Sequence, residues 1–279
     1  MFNPFSFLLP RPKNDAPLTA PQAGALGVIQ GLTEFIPVSS SAHLNIAHAL
    51  LGRRERQLPF DVLLSLGTTL ALAYALRREW RALLTQPARR PLLRMVALGC
   101  VPAVALAAFS PLRRLEDDSK LLASPAYNGL WMIVGGALLG LADRVGSKTR
   151  GLDELLGRDA LLIGASQALA LVPGFSRAGT TMAMGLLLGF RREEAARFSF
   201  LMALPISLGA VVYEGRRLRA DELGARPREA GWGVLAALVS GLGAISFLLA
   251  FLRRRGTAPF VAWRFLVGAW ALWRFREEL

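Results

Sequence analysis

A chain of 279 residues that is 53% hydrophobic and 19% charged, with apolar runs along its whole length, reads as a polytopic membrane protein. Its net charge of +13 sits in short clusters between those runs, such as Arg77-Arg78, Arg89-Arg90, Arg216-Arg217 and Arg253-Arg254-Arg255. That pattern suits loops facing anionic headgroups and argues against nucleic acid as a partner, and the single cysteine excludes a disulfide framework or a thiolate metal site.

Residues 1–20 have a short apolar patch, prolines at 4, 10 and 12, and no preceding basic region, so they read as an irregular tail rather than a cleaved signal peptide. A first repeat follows over 21–142. It opens with a stretch from Gly27 to Leu44 that carries Gln30, Glu34, Ser39, Ser40, Ser41 and His43 in apolar surroundings. Pro37 pushes its predecessor out of the helical region, so the expectation is a broken, re-entrant hairpin over about 21–51. One half-helix runs to about Ile36, an elbow covers Pro37 to Ser41, and a second half-helix starts near Ala42. Backbone of that kind is tolerated at membrane depth only where protein buries it or it lines a wet cavity.

Spanning helices are expected at roughly 60–76, 92–110 and 125–142, separated by an arginine-rich loop and by Arg113-Arg114-Leu-Glu-Asp-Asp118. A polar linker covers 143–159. The pattern then restarts over 160–279, where Gly164-Ala-Ser-Gln167 echoes Gly27-Val-Ile-Gln30. Pro173-Gly-Phe-Ser176 echoes Pro37-Val-Ser-Ser40 with one residue deleted between the blocks, and Phe198-Ser-Phe-Leu201 echoes Phe60-Asp-Val-Leu63. This gives a second hairpin at about 160–190 and spans at about 196–213, 232–252 and 259–275. A re-entrant hairpin plus three spans inverts the second repeat relative to the first, so the fold class is all-α, six transmembrane helices and two re-entrant hairpins in an inverted-topology repeat. Lys and Arg divide almost evenly between the two sides, so the positive-inside rule assigns no orientation.

Gln30 and Glu34 are four apart and share one helix face. Ser39 to Ser41 stand where N-caps would start the second half-helix, with His43 in its first turn. The second elbow, Pro173 to Thr181, joins small residues and hydroxyls to Arg177, the composition of an anion site at a helix N-terminus. The alternative, that Arg177 pairs with Glu34 as a buried structural bridge, does not exclude a phosphate role. Together the elbows offer phosphate donors (Arg177, Ser176, Thr181 and backbone amides), a nucleophile (Ser40 or a water) and an acid or base (His43). Glu34, assisted by Gln30, could orient the base or hold a divalent cation. Asp61 reads as either a cavity residue or a helix-end cap, His48 as packed, and Trp263, Trp270 and Trp273 as belt and packing residues.

At Gln30-Gly-Leu-Thr-Glu-Phe-Ile-Pro-Val-Ser-Ser-Ser-Ala-His43 and Pro173-Gly-Phe-Ser-Arg-Ala-Gly-Thr-Thr181 the chain resembles the undecaprenyl-diphosphate phosphatase family of bacitracin-resistance proteins, over roughly 20 to 275. The resemblance implies a multi-pass hydrolase of the bacterial plasma membrane that converts a C55 prenyl diphosphate to its monophosphate and recycles the lipid carrier of peptidoglycan synthesis. It also implies a divalent cation, Mg2+ or Ca2+. The family's glutamate-or-glutamine/glutamate pair falls on Gln30 and Glu34, and its serine pair and histidine on Ser39, Ser40 and His43. Its second motif falls on Pro173, Gly174, Ser176, Arg177 and Thr181, with Ser39, Gly174, Ser176, Arg177 and Thr181 expected at the substrate phosphate. Two positions depart from the pattern: Gln30 is the amide variant, and Ala178 stands where the family favours serine. The expected partners are the prenyl diphosphate and membrane lipids, with a homodimer left open. The rival is a transporter or flippase of the lipid phosphate, because midplane half-helices are also a transporter arrangement.

Overall fold

In a computed structural model, residues 18–52, 58–109, 122, 124–217 and 227–278 are described. Most of the N-terminal tail, the Arg53–Gln57 stretch and the Arg113–Asp118 loop lie outside them. The described chain is helical, with one isolated bridge between Arg150 and Phe190. The helices are α1 (Ala20–Phe35), α2 (Ser40–Leu50), α3 (Leu58–Ala75), α4 (Arg77–Thr85), α5 (Arg90–Phe109) and α6 (Pro125–Val145). They continue with α7 (Gly157–Ser166), α8 (Arg177–Leu187), α9 (Arg192–Arg217), α10 (Pro227–Leu252) and α11 (Ala258–Arg274).

Three of these, α6, α9 and α10, are long and apolar enough to cross a bilayer. The α3–α4 pair is a fourth if its 61° bend lies within one span. The chain is therefore a membrane protein. Its exposed large hydrophobics, among them Val101, Val104, Leu208, Val239, Leu266 and Trp273, are the surface such a protein offers to lipid.

Both chain breaks expected near the prolines are present. Thr19 and Gln22 form a reciprocal capping box at the start of α1, and α1 ends at Phe35 because Ile36, before Pro37, is extended (φ −67°, ψ 136°). The second half-helix starts at Ser40, two residues earlier than Ala42. In the other half, α7 passes into a 3-10 turn over Gln167–Leu171, Val172 is extended before Pro173, and α8 follows.

The structure corrects the register of the repeat. No residue is deleted: the boundaries of the first hairpin recur 137 positions later. The start of α1 at Ala20 matches that of α7 at Gly157, the N-caps Ser39 and Ser176 correspond, and α2 and α8 both have 11 residues. Gly52 (φ 76°) and Gly189 (φ 86°) close both units. Ser176 is thus the counterpart of Ser39, and Arg177 that of Ser40.

Packing follows the same exchange rule. The half-helix α1 lies along α10 of the other half, and α7 lies along α5. At both crossings a motif glycine permits the approach. A Cβ on Gly27 would run into the carbonyl oxygen of Gly233, and one on Gly164 into that of Gly99. The helices α6 and α11 cross at Gly129 and Gly268, each facing the other's carbonyl. Side-chain hydrogen bonds fix the second half-helices: Asn45 on α2 donates to Asn128 on α6 (2.9 Å), and Thr181 on α8 meets Ser199 on α9 (2.7 Å).

These equivalent contacts predict equivalent costs. Gly27→Val and Gly164→Val should each destabilise the detergent-solubilised protein by about 1–3 kcal/mol through overpacking. Gly24→Ala, which meets open space, should not. Thermal unfolding of the three variants checks this, and a Gly164→Val protein as stable as wild type would contradict the shared crossing.

Candidate active site

The two elbows meet. Each turns on a serine forced to positive φ, Ser39 at 78° and Ser176 at 71°, and such a conformation costs a non-glycine residue about 1–3 kcal/mol. What holds them there is Arg264, which no motif marks. Arg264 lies on α11 with no exposed surface. Its Nε donates to the Met132 carbonyl at 2.9 Å, and Nη1 donates to the Pro37 carbonyl at 3.1 Å. Its Nη2 donates to the carbonyls of Gly174 (2.9 Å), Phe175 (3.0 Å) and Trp131 (3.4 Å). Pro37 and Gly174 are equivalent positions of the two hairpins, so one guanidinium pins both elbows at the same point of each. The socket is cut from glycines: a Cβ on Gly135 would strike Nη2, and one on Gly179 would come within 2.9 Å of Nη1.

On the open side of the elbows the hub is Glu34. Its Oε1 accepts from Arg177 Nη2 at 2.6 Å, joining residues from the two hairpins. Its Oε2 accepts from Ser40 Oγ at 2.6 Å and from Gln30 Nε2 at 3.1 Å. Arg177 Nη1 donates to Ser207 on α9 at 2.9 Å, a partner that no motif had indicated. Glu34, Ser40 and Arg177 are all partly exposed, as groups that receive a ligand must be.

The first residues of α2 and α8, Ser40 and Arg177, both bond to Glu34, so the two helix starts lie on either side of one carboxylate. Ser39 makes no side-chain cap, so the first-turn amides of α2 stay available, whereas Ser176 Oγ accepts from the Gly179 amide at 3.1 Å. Two helix N-termini beside a guanidinium are the kind of arrangement that favours an anion.

Other expected residues are placed elsewhere. Ser39 is buried, its hydroxyl 3.3 Å from that of Ser41. Thr181, expected at the phosphate, turns its hydroxyl into the α8–α9 packing, bonded to Ser199 and to the Arg177 carbonyl at 2.8 Å. Gly174 is buried behind the elbow (φ 109°), where its carbonyl serves Arg264 rather than a ligand. His43 contacts Ser39 and Trp263 rather than Ser40. Asp61 pairs with His48 at 3.1 Å, joining α3 to α2.

The architecture and these contacts define a class: a helical membrane protein whose polar, anion-accepting site forms where two broken helices meet. The family described as "Bacitracin resistance protein BacA" matches residues 23–270, and the chain belongs to it. A relative from Pelobacter propionicus is 41% identical over 259 residues, covering 87% of this chain and 92% of its own. Another from Geobacter metallireducens is 42% identical over 265 residues (90% and 96%), and one from Nocardioides sp. is 40% identical over 266 (89% and 93%). All three are named undecaprenyl-diphosphatase.

Removing the Arg264 guanidinium would leave the elbow carbonyls of Pro37, Gly174 and Phe175 without this donor, and a buried polar group left unsatisfied typically costs about 1–3 kcal/mol. Arg264→Leu is expected to unfold at a markedly lower temperature in detergent and to lose activity. Arg264→Lys, with three donors for five oxygens, should fall between it and wild type. An Arg264→Leu protein with wild-type melting would refute the pinning role.

Proposed function

We propose that the chain hydrolyses undecaprenyl diphosphate to undecaprenyl phosphate and inorganic phosphate, recycling the lipid carrier of cell-wall synthesis and conferring bacitracin resistance. The observation that carries this is the Glu34 hub, which joins a nucleophile from one hairpin to a phosphate-binding cation from the other. The setting is the bacterial plasma membrane, with six spans and two hairpins entering from opposite faces. The exchange of packing partners between the halves supports that inverted arrangement. The transporter alternative rests on half-helix geometry alone, and none of the relatives above carries such a name.

Arg177, with the amides at the start of α2 and α8, takes the oxygens of the terminal phosphoryl group. In moving to the phosphate it leaves Glu34 Oε1. Ser40 Oγ, already donating to Glu34 Oε2, attacks phosphorus as the carboxylate takes its proton. The bond to the bridging oxygen breaks, prenyl phosphate departs, and water releases orthophosphate from the serine. This assigns Ser40's proton to Glu34 rather than to His43, because the structure pairs Ser40 with the carboxylate.

Among the described residues no three His, Cys, Asp or Glu side chains converge, so these residues build no closed metal cage. Glu34 and the Gln30 carbonyl oxygen are hard donors of the kind that share Mg2+ or Ca2+ with substrate phosphates, so the donor set fits a cation carried in on the diphosphate. When bound, that cation would neutralise charge on the phosphate oxygens.

Phosphate release from a prenyl diphosphate by purified protein in detergent tests the reading, since transport needs two compartments. Arg177→Ala, Glu34→Gln and Ser40→Ala are each expected to lower turnover at least about a hundredfold, within the range of groups that stabilise phosphoryl transfer. Gln30→Glu should retain it. Full turnover in Arg177→Ala would end the assignment, and active protein that traps no labelled phosphoserine would replace Ser40 by water as the attacking group.

A further inference from the structure

Trp263 sits beside Arg264 on α11, half exposed, where the sequence marked it as a membrane-belt residue. Its indole Nε1–H donates to His43 Nε2 at 2.9 Å, and the two rings lie within 4° of parallel with centroids 6.2 Å apart. The other nitrogen of His43, Nδ1, is 2.7 Å from the Ser39 carbonyl oxygen. A carbonyl only accepts and an indole N–H only donates, so these two contacts dictate the state of the imidazole: Nδ1 carries the proton and Nε2 holds a lone pair. His43 can therefore take up a proton only at Nε2, the atom Trp263 covers.

We propose that Trp263 is a positioning residue that keeps His43 neutral in this tautomer, and that an arriving phosphate oxygen draws the indole N–H away and uncovers Nε2. The partners fit that exchange. A phosphate oxygen accepts the indole N–H as readily as an imidazole nitrogen does, and a half-exposed side chain can swing without disturbing the core. Trp263 shares one turn of α11 with Arg264, so the device that sets the elbows also sets the residue that guards His43. The uncovered nitrogen is then available to the water that releases phosphate from the site. The kinetic part of this inference rests on the phosphatase reading; the contact itself does not.

The chain contains two histidines, so 15N-histidine labelling of the whole detergent-solubilised protein gives few side-chain signals, and a His48→Gln sample assigns them. In wild type the His43 Nε2 signal should be that of a bare nitrogen accepting a hydrogen bond. In Trp263→Phe, which keeps a ring and removes the donor, it should move to the position of a bare nitrogen without one. In the same variant kcat/KM for prenyl diphosphate should fall about tenfold, part of the ~10²–10⁴ that proton transfer contributes. Trp263→Tyr, whose hydroxyl donates, should restore most of it. A Nε2 signal unmoved by Trp263→Phe, or Trp263→Phe turning over with wild-type kcat/KM, overturns the proposal. A wild-type protein with the expected Nε2 signal and no phosphate release would instead sink the phosphatase reading and leave the contact standing.

Discussion

The site depends on one buried cation. Among the described residues Arg264 has no carboxylate partner; it is satisfied by carbonyl oxygens of α6 and of the two elbows. A broken helix exposes just such oxygens, since its last carbonyls have no intrahelical donor, and its C-terminal end favours positive charge. Within a bilayer, lipid offers no donor to fill that role. A single guanidinium thus answers two problems together. It satisfies the carbonyls that breaking the helices would strand, and it fixes the separation of the half-helix N-termini on the opposite side. The positive φ of Ser39 and Ser176 persists because this socket over-determines the backbone around them.

The hairpins are equivalent in backbone and divergent in chemistry. Ser40 on one corresponds to Arg177 on the other, His43 to Thr180, and Glu34 to Leu171. One hairpin therefore carries the hydroxyl and the carboxylate that accepts from it, and the other carries the guanidinium. Only one Glu34–Arg177 pair can form, so the doubled fold makes one site rather than two. Gln30 and Gln167 show the consequence. The Gln30 amide donates to Glu34, whereas the Gln167 amide is buried and its Nε2 has no hydrogen-bond partner among the described residues. Where leucine replaced the carboxylate, the amide that would have faced it was left stranded.

Much of this was legible in the residues. Pro37 and Pro173 mark the breaks because proline constrains its predecessor locally. The meeting of Glu34 with Arg177 follows from the doubling once the elbows share a depth. The register was misread because matching Pro37 to Pro173 demands a deletion. The backbone instead aligns the positive-φ serines, and Pro173 occupies the position of Ile36. Arg264 and Trp263 were missed for a different reason. No local pattern distinguishes an arginine that plugs carbonyls 90 and 227 positions away from one that snorkels to a headgroup. Thr181 belongs to a motif yet serves packing, because its hydroxyl finds Ser199 on the neighbouring helix before it can reach the open side.

The arrangement also explains why the resting site suits a highly charged headgroup. Glu34 and Arg177 cancel each other, so the site presents an ion pair rather than a naked charge. Two helix N-termini remain, each equivalent to roughly half a positive charge, with Arg264 behind them. In the proposed reaction an incoming diphosphate competes with Glu34 for Arg177, and winning that competition leaves a carboxylate in contact with Ser40 and no longer paired. Binding and activation are then the same event. A prenyl monophosphate carries less charge with which to displace Glu34, so after phosphate has left the ion pair can close again and expel the lipid.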